Sequence, residues 1–583
     1  MTVPGYCFLE RLRDSAKIAW LALVAPPLAA LAAPPAPVDG GADLFSAPVY
    51  YERYLDKYAN KNDLPLLRAG HVRVKHYDPV DVSNFDWNRR NEEYTWFMQM
   101  QEMRFILPLI ASDRSEDRAL ARHWLESWYN AHPGARMPDH KWGEPMTFAF
   151  RGMVFVYYLK MECARTPPDT VVVTMLTKSI AAHQKFLEYD HNFDRDNNHG
   201  MIDALGLLET TRVHPNPVAR DLAFERIRII TRKSVSKSGT HMEHSPLYHF
   251  VFMRWVEDTR DYVRDLPDAP PDLVTELELL AQRMRVAGHF LQDHAGMIPQ
   301  IGDTDSVSVV DYSPEFRSSG APDGATRFYD RAAGYAIFKG VESDRRYVVL
   351  RIPEPSVALR AHLHFDALAL LVTDDGEVIL GDSGRYTYTR GGLREYFVSA
   401  YAHNTILPWS NSRLHRALQL FRPVAWARDE SRDDTTRWVA AVDEVAQDVS
   451  RAVSMPASSQ TVVVVDTIRV QGSADSSSVA RSATVLWNLG ADVDRIEAVE
   501  TDHGGVWSWT LETRRGRNAT LSVTVRDAAV AAAKVRLVRG EDAPMLAWYA
   551  PRQGVRRPVW GIEIVVNADP MAIVETRLVL PPR

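Results

Sequence analysis

The sequence has little cysteine, no excess of positive charge and, past its first residues, no long apolar run. Its 583 residues contain only Cys7 and Cys163. Removal of a leader holding Cys7 would leave no internal disulfide, so stability has to come from core packing or a metal. With 68 Lys+Arg against 75 Asp+Glu the net charge is −7, and losing the leader, which holds three basic and two acidic residues, makes it −8. A nucleic-acid binder would show a basic excess, so that class is set aside. After the leader no apolar stretch reaches the roughly 20 residues needed to span a bilayer, so no membrane partner is expected once the leader is gone. No biased stretch is long enough to read as a disordered linker.

At the start, Arg11, Arg13 and Lys17 precede an apolar run from Ile18 to Leu31, broken by Pro26-Pro27 and followed by the small-residue site Ala30-Leu31-Ala32. That order reads as a signal peptide over residues 1–32 and predicts a periplasmic or secreted protein. The alternative is an uncleaved anchor. The remaining length exceeds what one core fills, about 250 to 300 residues, so two large domains are expected.

Apolar residues recur at helical spacing from about 40 to 295, within a helical domain read as 40–325, as in Trp96, Met100, Met103, Leu107 and in Leu273, Leu277, Leu280, Met284. Further helical stretches are read at Leu120 to Ala131, Met153 to Ala164, Leu176 to Leu187 and Leu222 to Ile230. Thr166-Pro167-Pro168-Asp169 and His214-Pro215-Asn216-Pro217 stop one helix and let the next begin. From 330 to 583 the pattern changes to alternating, β-branched runs such as Tyr347 to Ile352, Leu368 to Thr373 and Thr461 to Val465. Asp374-Asp375-Gly376 reads as a hairpin turn. The fold class is therefore α+β multidomain, helical first and antiparallel β second.

Four stretches carry chemistry-bearing side chains. Asp196-Asn197-Asn198-His199-Gly200 puts an amide beside an imidazole, although Asn and Gly also serve simply to end helices. Glu243-His244-Ser245-Pro246-Leu247-Tyr248-His249 offers a phenol and an imidazole at a helix start, where packing residues are also common. In Arg360-Ala361-His362-Leu363-His364-Phe365-Asp366, alternation turns His362 and His364 to one side, a common beginning of a metal site and also a frequent chance pattern. Gly381-Asp382-Ser383-Gly384 and Ala402-His403-Asn404-Thr405 complete the set. His364, Asp382 and His403 could supply N, O and N ligands to zinc, with water fourth.

In this order across a helix-to-strand change, the four stretches resemble the heparinase II/III superfamily and the related oligo-alginate lyases. Also similar are Pro299-Gln300-Ile301-Gly302-Asp303-Thr304-Asp305 and Ala333-Gly334-Tyr335-Ala336-Ile337-Phe338. The resemblance covers residues 85 to 410. It implies an incomplete (α/α) toroid followed by an antiparallel β-sandwich, and cleavage of an acidic, uronic-acid-containing polysaccharide by β-elimination. By the same resemblance Asn198 and His199 bind and neutralise the uronate carboxylate, Tyr248 is an acid/base, His362 is the second histidine at the reacting carbon, and His364, Asp382 and His403 are zinc ligands. Glu243, Arg360, Arg385 and Tyr388 stand within or beside these motifs and are read as substrate-binding. Some heparin-active members carry glutamate three residues after the helical histidine, where this chain has Ile202, with Asp203 next. That departure speaks against heparin itself. Two other classes stay open: a glycoside hydrolase using carboxylates such as Asp196, Asp203 and Glu243, and a non-catalytic polysaccharide-binding or export protein. Oligomeric state is not legible in the sequence.

Overall fold

The structure, a computed structural model, describes residues 47–59, 63–74, 78–83, 85–87, 94–132, 144–314, 316, 320–354, 362–389, 391–408, 424–432, 434–443, 447–457, 459–470, 482–501, 504–526, 533–568 and 570–581. The expected leader over residues 1–32 and Arg360, read as substrate-binding, lie outside the described residues. Two compact units emerge: a helical one of Gly40–Glu243 and Tyr248–Gly288, and a β one that includes His244–Leu247 and His289–Arg583. Residues 289–325, placed in the helical domain on sequence, thus group with the β unit.

In the helical unit, Ser115–Ala131, Pro145–Cys163, Thr170–Glu188, His199–Thr210 and Pro217–Ser234 are successive helices. The two proline-rich breaks work through their polar residues. Asp169 accepts from the backbone N–H groups of Val171 and Val172 at 3.0 and 3.2 Å, and Asn216 from that of Ala219 at 3.3 Å, so each caps the helix that follows. Pro145–Cys163 is buried over most of its length and His199–Thr210 from Gly200 onward, as expected of helices enclosed by their neighbours rather than lying on the surface. The run Trp96 to Leu107 is not one helix. Tyr94–Gln101 ends, Met103 turns left-handed at φ 57°, and a short turn Arg104–Ile106 follows.

In the β unit the first five strands, β1 (Arg327–Asp330), β2 (Tyr335–Lys339), β3 (Arg346–Arg351), β4 (Leu370–Asp374) and β5 (Glu377–Leu380), form an antiparallel meander in sequence order. Asp375 and Gly376 have φ 51° and 78°, the paired left-handed geometry of a tight hairpin turn, and join β4 to β5. Strands β2 to β4 are buried at every position, so both faces of this sheet are covered.

Apart from two small hairpins, Glu541–Asp542 with Met545–Leu546 and Trp548–Arg552 with Val555–Pro558, the remaining strands are β6 (Ile406–Pro408), β7 (Trp426–Asp429), β8 (Thr435–Asp443), β9 (Gln447–Pro456), β10 (Thr461–Val470), β11 (Ser482–Asn488), β12 (Val493–Thr501), β13 (Val506–Thr513), β14 (Asn518–Arg526), β15 (Lys534–Arg539), β16 (Trp560–Asn567) and β17 (Met571–Val579). They make an eight-stranded antiparallel sheet, β12-β13-β14-β17-β10-β9-β8-β7, and a four-stranded one, β15-β16-β11-β6. In β13 and β17 buried positions alternate with more exposed ones, the signature of a sheet with one covered face. One apolar core draws on all three sheets, through residues such as Val348, Leu350, Trp438, Val464, Trp487 and Ile564.

A buried arginine ties this core to the loops that carry the candidate residues. Arg451 faces Asp466 across β9 and β10 and pairs with it at 2.7 and 2.9 Å. Its remaining nitrogen donates to the carbonyls of Leu368 and Asn404 at 2.7 and 2.6 Å. The Asn404 amide in turn donates to the carbonyls of Leu370 and Gly381 at 2.9 and 2.8 Å, which fixes the segment after His403 against the ends of β4 and β5. No helix among the described residues is long and apolar enough to cross a membrane.

Candidate active site

In the helical unit the candidate residues are placed by a tight turn. The chain leaves Pro217–Ser234 and doubles back, with Ser236 N–H donating to Thr240 O at 2.9 Å and Met242 N–H to Ser234 O at 2.9 Å. Gly239 makes this possible: it has φ 93°, and a Cβ there would lie 2.3 Å from the carbonyl oxygen of Arg283. The turn delivers His241 and Glu243 to the start of the helix His199–Thr210. Asn198, only 2% exposed, sits at the N-cap of that helix, yet its side chain makes no cap bond. Instead its Nδ2 donates to Glu243 Oε2 at 2.8 Å while its backbone N–H donates to Glu243 Oε1. Half-buried His199 opens the helix, its N–H donating to Asn197 Oδ1 at 2.7 Å. Tyr248 is half-buried in the first turn of Pro246–Arg264.

Glu243, read on sequence as substrate-binding, is 0% exposed, with both carboxylate oxygens on Asn198. Asp203, also 0% exposed, has its pKa pushed well above the usual carboxylate range by burial. His249 is held neutral. Its Nε2–H donates to Met284 O at 3.0 Å, its Nδ1 accepts from His241 N–H at 3.2 Å, and burial, helped by nearby His241, lowers its pKa to about 3.

In the β unit the organising group is Asp303, which sequence reasoning left without a role. One carboxylate oxygen is 3.0 Å from His362 Nδ1 and the other 2.9 Å from His364 Nε2, and Arg394 donates to both. Burial would raise the Asp303 pKa, but the Arg394 charge and the two histidine hydrogen bonds hold it well below the usual range. His362 takes a left-handed φ of 59°, so the two rings share one carboxylate through a bent loop rather than through strand alternation. Gly302, at φ 58°, lets the backbones close in: a Cβ there would lie 2.5 Å from His244 O and 2.7 Å from His362 O. Ser245 Oγ and Thr304 Oγ1 share a hydrogen bond at 2.7 Å beside it. The Tyr388 hydroxyl is 3.4 Å from His362 Nδ1, and the guanidiniums of Arg385 and Arg394 lie 4.7 and 5.4 Å from its ring centroid. Arg385 also pairs with Asp305 at 2.7 Å.

The expected zinc site is overturned. Among the described residues no three His, Cys, Asp or Glu side chains gather in a way that would hold a metal ion. The three proposed ligands are split between two acid–imidazole pairs: His364 with Asp303, and His403, whose Nδ1 lies 3.0 Å from each oxygen of Asp382. Burial alone would lower the His403 pKa, but Asp382 raises it.

The β unit also carries the family signal. Residues 324–571 match the family model "Heparinase II/III-like, C-terminal". No curated protein matches the sequence. Among solved structures, the chain is similar to heparinase III (15% identity, 92% of this chain and 86% of the other, TM-score 0.68). It is also similar to the heparan sulfate lyase HepC from Pedobacter heparinus (13% identity, 100% and 92% covered, TM-score 0.60). A chondroitinase AC lyase is more distant (11% identity, 92% and 83% covered, TM-score 0.51). At these identities the likeness is one of fold: helical N-terminal region, antiparallel β C-terminal region.

Proposed function

We propose that this protein is a polysaccharide lyase that cleaves a uronic-acid polymer by β-elimination, leaving 4,5-unsaturated uronate ends. The observation that carries the reading is the pair Asn198–His199 at the N-terminus of a buried helix, with the amide pinned by a buried carboxylate. Removing the weakly acidic C5 proton of a uronate puts charge next to an ionised carboxylate, so the barrier is mainly electrostatic. Donors fixed in advance at a helix N-terminus lower it, one such donor being worth about 3 kcal/mol. The C5–H electrons become the C4–C5 double bond, the C4–O4 bond breaks, and O4 leaves with a proton. Tyr248 and His362 share the two proton transfers, and whether the C5 hydrogen and O4 are syn or anti decides which of them takes which. Within the β unit, Asp303 orients His362 through Nδ1.

The fold shared with lyases and the family match over 324–571 support the same reading, with the helical unit as an incomplete (α/α) toroid. A hydrolase would need a pair of accessible carboxylates, and of its three candidates only Asp196 is exposed while Asp203 and Glu243 are fully buried. The leader supports export to the periplasm or beyond.

The substrate is a uronan with little or no sulfate, such as alginate or an unsulfated exopolysaccharide. Among the described residues, Arg394 and Arg385 are paired with Asp303 and Asp305, which favours a polymer with one carboxylate per sugar over a heavily sulfated chain. Initial rates on alginate, hyaluronan and heparin at matched uronate concentration, followed by the near-ultraviolet absorbance of the new double bond, test this. Either unsulfated polymer should be cut much faster than heparin, and faster cleavage of heparin would overturn the substrate assignment.

A further inference from the structure

We infer that Glu243 is a positioning residue that sets the orientation of the Asn198 amide for the elimination, and that it does not touch substrate. This deepens the reading above and rests on Asn198 binding the uronate carboxylate.

Three observations within the helical unit lead there. Glu243 is 0% exposed, its carboxylate enclosed against Asn198. Its two oxygens are divided between two N–H groups of one residue, the backbone N–H and the side-chain Nδ2 of Asn198. Beyond it stands His241, whose Nε2 is 3.4 Å from Glu243 Oε2 and whose Nδ1 is 3.0 Å from Ser234 O. A carbonyl only accepts, so His241 Nδ1 carries a proton. His241 itself is stacked on Phe252 with ring centroids 4.4 Å apart.

The consequence is chemical. A primary amide can be turned either way with little change in shape, but its two ends are opposite in character: Nδ2 donates twice and Oδ1 only accepts. Both Glu243 oxygens accept from N–H groups of Asn198, and this pairing selects the orientation with Nδ2 towards the carboxyl group. One N–H is used in that contact and the second is left to donate. Turned the other way, Asn198 would present a carbonyl oxygen to a substrate carboxylate and repel it. A small structural cue thus fixes the sign of the group offered at the reacting centre, one buried side chain orienting another.

The test is a double-variant cycle on the full-length protein. Glu243→Gln keeps size and shape but puts an NH2 where one of the two accepting oxygens stood. On whichever of alginate, hyaluronan and heparan sulfate the wild type cleaves fastest, E243Q is expected to lower kcat about tenfold and move KM less than about threefold, because the amide acts mainly as charge develops. In the Asn198→Ala background, E243Q is expected to cost nothing further, within about twofold. Equal losses in both backgrounds, or no loss in either, overturn the proposal while leaving Asn198 in its role. Near-normal turnover of Asn198→Ala alone, or a wild type that cleaves none of the three by elimination, takes down the underlying reading and this inference with it. Should E243Q fail to fold, Glu243→Asp, which keeps the charge and withdraws it by one methylene, carries the same cycle. Failure of both variants to fold would make Glu243 a residue of the fold and would equally overturn the proposal.

Discussion

Asp303 and His362 are joined at 3.0 Å, and the same carboxylate reaches His364 at 2.9 Å with its other oxygen. A single buried acid thus fixes both imidazoles of the His-x-His stretch and the Arg394 guanidinium. Asp303→Asn should therefore do more than loosen one ring. It leaves Arg394 without its countercharge, and breaking a buried pair from one side costs about 3 kcal/mol. Denaturant unfolding should show a loss of that order, and a change below about 1 kcal/mol would contradict the assignment.

Gly302→Ala should be poorly tolerated. The new Cβ would meet two carbonyl oxygens at 2.5 and 2.7 Å, both backbone atoms, and would sit on a residue with φ 58°. Left-handed backbone and a backbone clash together should cost at least about 2 kcal/mol. A melting temperature within a degree of wild type would mean that the loop around His362 yields more easily than its packing implies.

Stability should fall as pH drops below neutral, in part through His249. Its folded pKa of about 3 lies below the unfolded value of 6.5. The native state stays neutral while the unfolded chain takes up a proton, so the contribution is complete above 6.5 and is lost as pH falls from there towards 3. The slope is on the order of 1.4 kcal/mol per pH unit. Protonating Nδ1 in the folded state would set an N–H against the His241 N–H, which is why the site resists it. Unfolding free energies at pH 7 and pH 5 should differ by about 2 kcal/mol more in wild type than in His249→Gln. Equal differences would show that His249 is not depressed.

Much of the architecture is legible in the sequence because periodicity is local. The helices at Leu120, Met153, Leu176 and Leu222 fall within observed helices, and Asp375-Gly376 makes the turn its residues favour. The break at Met103 is not legible, since neither Gly nor Pro marks it and the apolar spacing runs straight through. Burial is the other missing quantity. Glu243 reads as an available carboxylate until its side chain is seen to be enclosed, and Asp303 looks like any turn aspartate in Gly-Asp-Thr-Asp. The zinc expectation failed for a related reason. Spacing indicates that His362 and His364 turn to one side, but not that the acid they meet is Asp303, sixty residues upstream, while His403 meets Asp382.

Tyr248→Phe should lower turnover at least about a hundredfold, the usual scale for losing a general acid or base. Only a hydroxyl is removed from a half-buried position, so melting should change little. Near-normal turnover with an unchanged melting temperature would remove Tyr248 from the reaction.

Elimination and hydrolysis of the glycosidic bond leave products of different mass. Digestion of alginate or hyaluronan in isotopically heavy water, followed by mass spectrometry, should give fragments whose new non-reducing ends are one water lighter than hydrolysis products. Those ends should absorb in the near ultraviolet, and no heavy oxygen should enter the cleaved bond. Fragments of full hydrolytic mass, carrying heavy oxygen and no absorbance, would contradict the account.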